Sequence, residues 1–406
     1  MTKYRYLFLA IFALSCDHPQ VDPKSVFPDH LQSYRTSNSI ELSWYSPLIL
    51  MDVTPDFFDR NIQPEYFEVY MSKGDTSNFQ LIAKLNGDIK QYQINENKTG
   101  VDYFFKLKCL AKNAINKFSN MIWVNGGQNP ELTFLLDFKQ NNSTVGDVSA
   151  DESKILINRY PSAGESQGIA LYDLNTKIEH FIVPNAESAA FSSDEKWIAF
   201  TSYFGDYSMK PDGRNLGLIN IETGEIDTLT TGPYTIYSPV FSNYDSVIYF
   251  HNSPYNVEDQ IIKVKLADKS LDTIFNSATS LRFQRISYNE NKQQIFMTTF
   301  QDNGHRSISA YDISSNSIYE VIDGTKWFDS YPSISPNGKY LAFYSQRSGR
   351  NEIWVLNLDN FNYHQLTGEE DRNFRNRIVW SKSGEKIYVI GNKANSKVLY
   401  SFSLSL

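Results

Sequence analysis

Cysteine is scarce. The 406 residues hold two, Cys16 and Cys109, which excludes a disulfide-stapled scaffold. Histidine is thin as well: six residues, at 18, 30, 180, 251, 305 and 364, with no clustering in sequence. No run of 18 or more apolar residues occurs, so nothing beyond the first residues reads as a membrane span. An excess of basic charge is also missing. Lys and Arg number 38 against 46 Asp and Glu, a net charge of −8, which argues against a nucleic-acid partner. What is present is aromatic: 26 Tyr and 27 Phe bring the aromatic share to 15%, a composition that suits strands.

The strands repeat. Ser333 to Asp359 is the clearest copy: a short apolar strand ending at Ser335, a Pro336-Asn-Gly-Lys339 turn, a strand from Tyr340 to Tyr344, a polar loop, and an alternating strand from Glu352 to Leu358. Aligned on the serine that closes the first strand, copies fall at Ser149, Ser192, Ser242, Ser287, Ser335 and Ser381, 43 to 50 residues apart. Each serine precedes a polar turn and a β-rich run, such as Ile198-Ala-Phe200 or Leu341-Ala-Phe343. Four short antiparallel strands per unit, at this period, is the size of a propeller blade. The sixth copy stops after its third strand, and an orphan strand, Leu132 to Asp137, stands before the first. That strand is expected to close the last blade, since an open ring would leave an unpaired edge.

The phrase at 335–343 resembles the WD-like repeats of the TolB family, whose turn reads Ser-Pro-Asp-Gly-(Lys)-x-(Ile/Leu)-(Ala/Val)-Phe. The other copies are worn, and only the sixth keeps the turn glycine, as Gly384. The resemblance implies a six-bladed β-propeller over 131–406, with 132–137 closing the sixth blade. It implies binding rather than a particular reaction.

Before the propeller the chain changes character twice. Lys3 and Arg5, then an apolar run from Tyr6 to Leu14, form a secretory signal over 1–16. Its end, Ala13-Leu-Ser-Cys16, resembles a bacterial lipobox, which implies lipid on Cys16; an ordinary signal cleaved nearby is the alternative. Asp17 follows, which in some bacteria favours retention at the inner membrane. Residues 17–38 are polar with three prolines and read as a tether. Residues 39–127 alternate as a small β domain. Leu42-Ser-Trp44, and Tyr103 at the place of a corner tyrosine, make it similar to a fibronectin type III domain, an immunoglobulin-like sandwich. Cys109 lies in the alternating run from Tyr103 and is expected to point into the core as a small hydrophobe.

The expected architecture is therefore all-β, a fibronectin-like sandwich followed by a monomeric propeller. In a propeller the first-to-second turns lie on one face, and the second-to-third loops and inter-blade links on the other. The second face carries the longer loops, rich in aromatics and arginine, which is the composition of a protein-binding surface. Its expected binding residues are Tyr203, Tyr207, Tyr255, His305, Trp327, Arg347, Arg350 and Arg375. No catalytic, metal or cofactor residues are expected. Gly164-Glu-Ser-Gln-Gly168 matches a nucleophile elbow on paper, but a strand follows where the elbow needs a helix. Propeller lyases of pectic sugars resemble this fold and hold a metal with several histidines, whereas only His251 and His305 would reach the loop face here. The reading is an envelope lipoprotein, on an outer-membrane, periplasmic or surface face, that binds a protein or glycan. The alternative is a carbohydrate-active enzyme, a lyase or hydrolase, working at the channel mouth.

Overall fold

The computed structural model describes residues 25–404 except 36–37, 50–63, 112–114, 117, 120, 127–130, 139–141, 161–166, 204–212, 233, 243, 255–257, 278–280, 301–305, 325–326, 369–376 and 394–395. Every regular element among them is a strand, so the fold is all-β. The signal, with Cys16, lies outside the described residues.

Among the described residues the strands form eight four-stranded sheets. Two come from the N-terminal part. One runs Gln91–Ile94, Ile40–Ile49, Ser25–Arg35, Ile115–Asn116; the other runs Gln80–Asn86, Tyr66–Lys73, Tyr103–Leu110, Ile122–Val124. Their facing sides share one core, in which Trp44 packs on Phe67 with ring centroids 5.4 Å apart. Tyr103 is fully buried, and its hydroxyl accepts the Lys98 N–H at 3.1 Å. Cys109 is fully buried in the same core, and burial pushes its thiol up to about 11. The tether expected over 17–38 is corrected here: Ser25–Arg35 is a strand, paired antiparallel with Ile40–Ile49. Its Pro28 sits where the register shifts between Phe27 and Asp29, a point at which a missing N–H breaks no ladder bond.

The other six sheets follow one another along the chain, each a meander from an inner to an outer strand. Their inner strands are Asn142–Val148, Ala186–Phe191, Ile236–Phe241, Arg282–Asn289, Asp329–Ile334 and Val379–Trp380. The outermost strand of the sixth sheet is Glu131–Asp137, antiparallel to Ser396–Ser403. Six hydrophobic cores lie between the sheets, each shared by two neighbours. One joins Val145, Ile155 and Tyr172 of the first sheet to Val379, Tyr388 and Leu399 of the sixth, so the sheets close into a propeller. Second strands such as Trp197–Tyr203 and Tyr340–Ser345 read as continuous apolar runs because both faces are covered. Outer strands such as Leu271–Asn276 face water and lose that character.

The repeating serine has a structural job. Ser149, Ser192 and Ser335 each donate to the side chain two residues on, at 2.7 Å, and accept the N–H five residues on, at 2.9–3.0 Å, which staples the turn. In the fourth sheet the strand ends at Asn289, whose side chain accepts the N–H of Asn291 at 3.1 Å. Ser287 stands two residues earlier and accepts the N–H of Ile334 instead, at 3.0 Å. The correct alignment there is Asn289.

The position three residues after the serine is left-handed in five sheets: Glu152, Glu195, Asp245, Gly338 and Gly384. Where glycine is replaced, the carboxylate reaches the neighbouring turn. Glu195 accepts the Ala150 N–H, and Asp245 accepts the Ser193 N–H at 2.7 Å. Glu152 takes Lys386 at 2.6 Å and the Tyr388 hydroxyl at 2.8 Å.

Candidate functional site

The inner strands of the first five sheets all carry one extra residue in mid-strand. A bulge of this kind twists the strand and re-aims a side chain. In four of them the re-aimed residue has a left-handed backbone: Ser188 (φ +59°), Ser238 (+49°), Arg285 (+57°) and Tyr331 (+58°). Non-glycine residues adopt that region sparingly, and such outliers cluster at functional sites. These four, with Thr144, Asn158, Tyr160 and Arg377, surround a throat of about 100 Å³. Arg377 stands four residues before Ser381, at the position equivalent to the other four.

A wider cavity of about 510 Å³ shares Ser238, Arg285, Tyr331 and Arg377 with the throat. Its rim is built from turn residues, among them Ala150, Ser193, Asp245, Pro336 and Lys382. The cavity therefore opens toward the first-to-second turns, the face opposite the one on which the binding residues were expected. The four copies that carry a left-handed bulge residue place it four residues before the aligned position, with the fourth sheet aligned on Asn289. Sequence alignment on Ser287 hid Arg285 for that reason.

Charge in the channel is partly committed. Asp147 accepts the N–H groups of Val148 (2.8 Å) and Phe191 (3.0 Å) and pairs with Lys382 at 3.3 Å. Glu187 pairs with Arg214 and accepts the Tyr160 hydroxyl at 2.8 Å. Burial, reinforced by Glu187, pushes that phenol well above its ordinary value. Arg377 donates to the Ala189 carbonyl at 3.1 Å. Burial pulls its guanidinium below the usual value; Asp147 opposes this and Arg285 adds to it. Arg285 lies over the Tyr331 ring, 5.2 Å from its centroid.

Beside Arg285 is a side pocket of about 290 Å³ lined in part by Tyr237, His251, Asp259 and Arg282. His251 is buried, 4.6 Å from the Phe283 ring, with Nε2 3.4 Å from Asp259 Oδ1. Burial lowers its pKa although Asp259 works the other way. Asp259 is held by Arg282 (3.0 Å) and the Phe283 N–H (2.9 Å). Among the described residues, no group of three or more His, Cys, Asp or Glu side chains could hold a metal ion.

Three of the residues expected as a binding face, Trp327, Arg347 and Arg350, meet the N-terminal part of the same chain. Trp327, Arg347 and Arg350 lie where the N-terminal sandwich docks on the fifth sheet, which corrects their assignment to a free surface. Arg347 is 2% exposed. It pairs with Asp329 at 3.1 Å and sits against the rings of Tyr363 (4.5 Å), Phe343 (5.0 Å), Trp327 (5.2 Å) and Trp354 (5.7 Å). A buried guanidinium needs such a partner set, and every part of it is intramolecular. Trp327 Nε1 donates to the Met121 carbonyl at 3.3 Å, and Arg350 Nε to Gln32 Oε1 at 3.4 Å, so both touch the sandwich. Trp123 of the sandwich completes the contact, its ring 5.0 Å from Trp354 and 5.7 Å from Tyr363 and its backbone N–H on the Arg347 carbonyl at 2.5 Å. Ser33 N–H meets the Ser348 carbonyl at 3.0 Å, and Arg35 N–H the Gly368 carbonyl at 3.0 Å. Tyr203 ends the strand Trp197–Tyr203. Tyr207, Tyr255, His305 and Arg375 lie outside the described residues.

No family model matches the chain, and no curated protein matches its sequence. Among solved structures it is similar to TolB from Acinetobacter baumannii, at 14% identity and a TM-score of 0.48, over 76% of this chain and 77% of that one. It is similar to an oligogalacturonate lyase in complex with manganese, at 12% identity and 0.48, over 94% and 98%. It is similar to the β-propeller domain of the Trilobed protease from Pyrococcus furiosus, at 11% identity and 0.47, over 94% of each chain. Likenesses of this strength carry no activity or ligand across to the present chain.

Proposed function

We propose that the chain is a non-catalytic cell-envelope lipoprotein that recognises a protein or glycan partner at the propeller channel. The observation that carries this reading is the cavity of about 510 Å³, into which all six inner strands converge and which holds Arg285, Tyr331 and Arg377. Concave sites with a few convergent polar groups are where ligands bind. The lipid anchor rests on Lys3, Arg5, the apolar run to Leu14 and Cys16. The N-terminal sandwich, read as a fibronectin type III-like module, acts as a rigid spacer for a six-bladed ring rather than as a loose bead, because it is docked on the fifth sheet.

Capture of envelope components on the full chain tests the channel. Ala150→Trp and Lys382→Glu at the cavity rim should cut recovery of the partner, while Ile226→Ser on an outer strand should not. Equal recovery from all three removes the channel from the assignment. Product formation on acidic polysaccharides would replace a binding module with a carbohydrate-active enzyme. Palmitate labelling lost in Cys16→Ala tests the anchor.

A further inference from the structure

We infer that the channel throat is a carboxylate site, in which Arg285 and Arg377 hold the terminal carboxylate of a small ligand whose body fills the wider cavity. The inference deepens the binding reading above and rests on it.

Two guanidinium groups line both the throat and the wider cavity, and among the described residues no carboxylate lines the throat. Arg377 spends one N–H on a carbonyl, and Arg285 meets the face of Tyr331. Among the described residues, neither forms an ion pair. Asp147 is committed to Lys382 and two backbone N–H groups, Glu187 to Arg214 and Tyr160, and Asp259 to Arg282 and the Phe283 N–H. Two like charges brought together this way repel, and an anion between them removes the repulsion. The guanidinium fork matches a carboxylate with two parallel hydrogen bonds. Ser188 and Ser238 add hydroxyl donors at the same ring.

Size and charge narrow the ligand. A throat of about 100 Å³ admits an end group and not a continuing chain, whereas about 510 Å³ on the turn side has room for a body of small-molecule size. Asp147, Glu195, Asp245 and Glu290 line the wider cavity, so a single negative charge at the throat end is a better match than a doubly charged phosphate. Arg285 has a left-handed backbone at its bulge, which sets the direction of its Cα–Cβ bond, and its side chain lines the channel.

Calorimetric titration of the full chain tests this with two acids, D-glucuronate and N-acetyl-Ala-Ala with a free C-terminus. Their neutral counterparts are D-glucose and the peptide amide, and inorganic phosphate is the third comparison. At least one acid should bind, its neutral counterpart roughly tenfold or more weaker, and the acid that binds names the source as sugar or peptide. Arg285→Gln and Arg377→Gln should each weaken binding by about tenfold or more, and the lysine variants by less, since they keep charge without the fork. If Arg377→Gln lowers the melting temperature, Arg285→Gln decides, because among the described residues its guanidinium meets only the Tyr331 ring and no hydrogen-bond acceptor. Equal binding of acids and neutral counterparts, unchanged binding in Arg285→Gln, or phosphate binding tighter than either acid overturns the inference. Absence of acid binding overturns it even where partner capture persists; lost partner capture with retained acid binding counts against the binding-module reading alone.

Discussion

Trp123→Ala should separate the two parts of the molecule energetically. Trp123 belongs to the last strand of the sandwich, Ile122–Val124, yet its ring lies among Trp327, Trp354 and Tyr363 of the propeller, with centroids 6.3, 5.0 and 5.7 Å away. On the sandwich side it stacks on Phe104 at 5.5 Å. A tryptophan buries roughly 150–250 Å². At about 25 cal/mol per Å² that is roughly 4–6 kcal/mol for full burial. Trp123 is partly exposed, so truncation should cost about 3–5 kcal/mol, the range found for large aromatic deletions. The backbone bond from Trp123 N–H to the Arg347 carbonyl survives the substitution and softens the effect. Scanning calorimetry reads the result. The wild-type chain should melt in one coupled transition, whereas Trp123→Ala should show the sandwich melting first and the propeller later. Trp44→Ala, which hollows the sandwich core alone, should lower sandwich stability without giving the propeller a newly exposed aromatic face. Trp123→Phe should recover part of the coupling. A Trp123→Ala protein that melts as one unit, within about 1 kcal/mol of wild type, refutes the claim that this ring joins the modules.

Two further outcomes follow from buried and bridging charges. Burial lifts the Asp329 carboxyl to about 6 despite the adjacent Arg347. A carboxyl raised in the folded state contributes stability that is complete below its unfolded value near 4 and is lost as pH climbs through 6. Denaturation from pH 4 to 7 should therefore show wild type losing ground relative to Asp329→Asn as pH rises; the opposite slope defeats the assignment. Glu152 ties the first sheet to Lys386 and Tyr388 of the sixth, at the point where the ring closes. Glu152→Ala should cost about 1–3 kcal/mol in urea unfolding, and a neutral result would show that those bonds contribute nothing at the seam.

The propeller was legible because covered second strands are apolar on both faces and a polar turn interrupts them at a regular interval. The copies Ile198-Ala-Phe200 and Leu341-Ala-Phe343 carry that signal on their own. Registration failed in one place for a chemical reason: asparagine can staple a turn as serine does, so Asn289 took the role while a serine stood two residues away. The strand Ser25–Arg35 was hidden by its composition. Its pairing comes from the partner at Ile40–Ile49, through backbone groups that polar side chains and a proline do not reveal. Arg347 misled most. In sequence it sits in a polar loop among Gln346, Ser348 and Gly349, and nothing local shows that a separate module covers it. Gly349 carries the trace of that contact: at φ +83° its added Cβ would lie 2.2 Å from the Leu31 carbonyl oxygen. Arg285 was hidden by a different cause. Its placement comes from a bulge, and one extra residue in a strand leaves no periodic mark.

The strand that completes the sixth sheet has a mechanical consequence. Glu131 is paired with Ser403, so the point where the chain enters the ring and the point where it leaves lie side by side at one end of the same antiparallel ladder. Tension between those points would peel the ladder one bond at a time rather than shear all of its bonds together. The docked sandwich alters the route of the load. A pull on Ser25 must first break the contacts among Ser33, Trp123 and Arg347 before it reaches Glu131. The sandwich is thus a strain relief for the weakest direction of the ring.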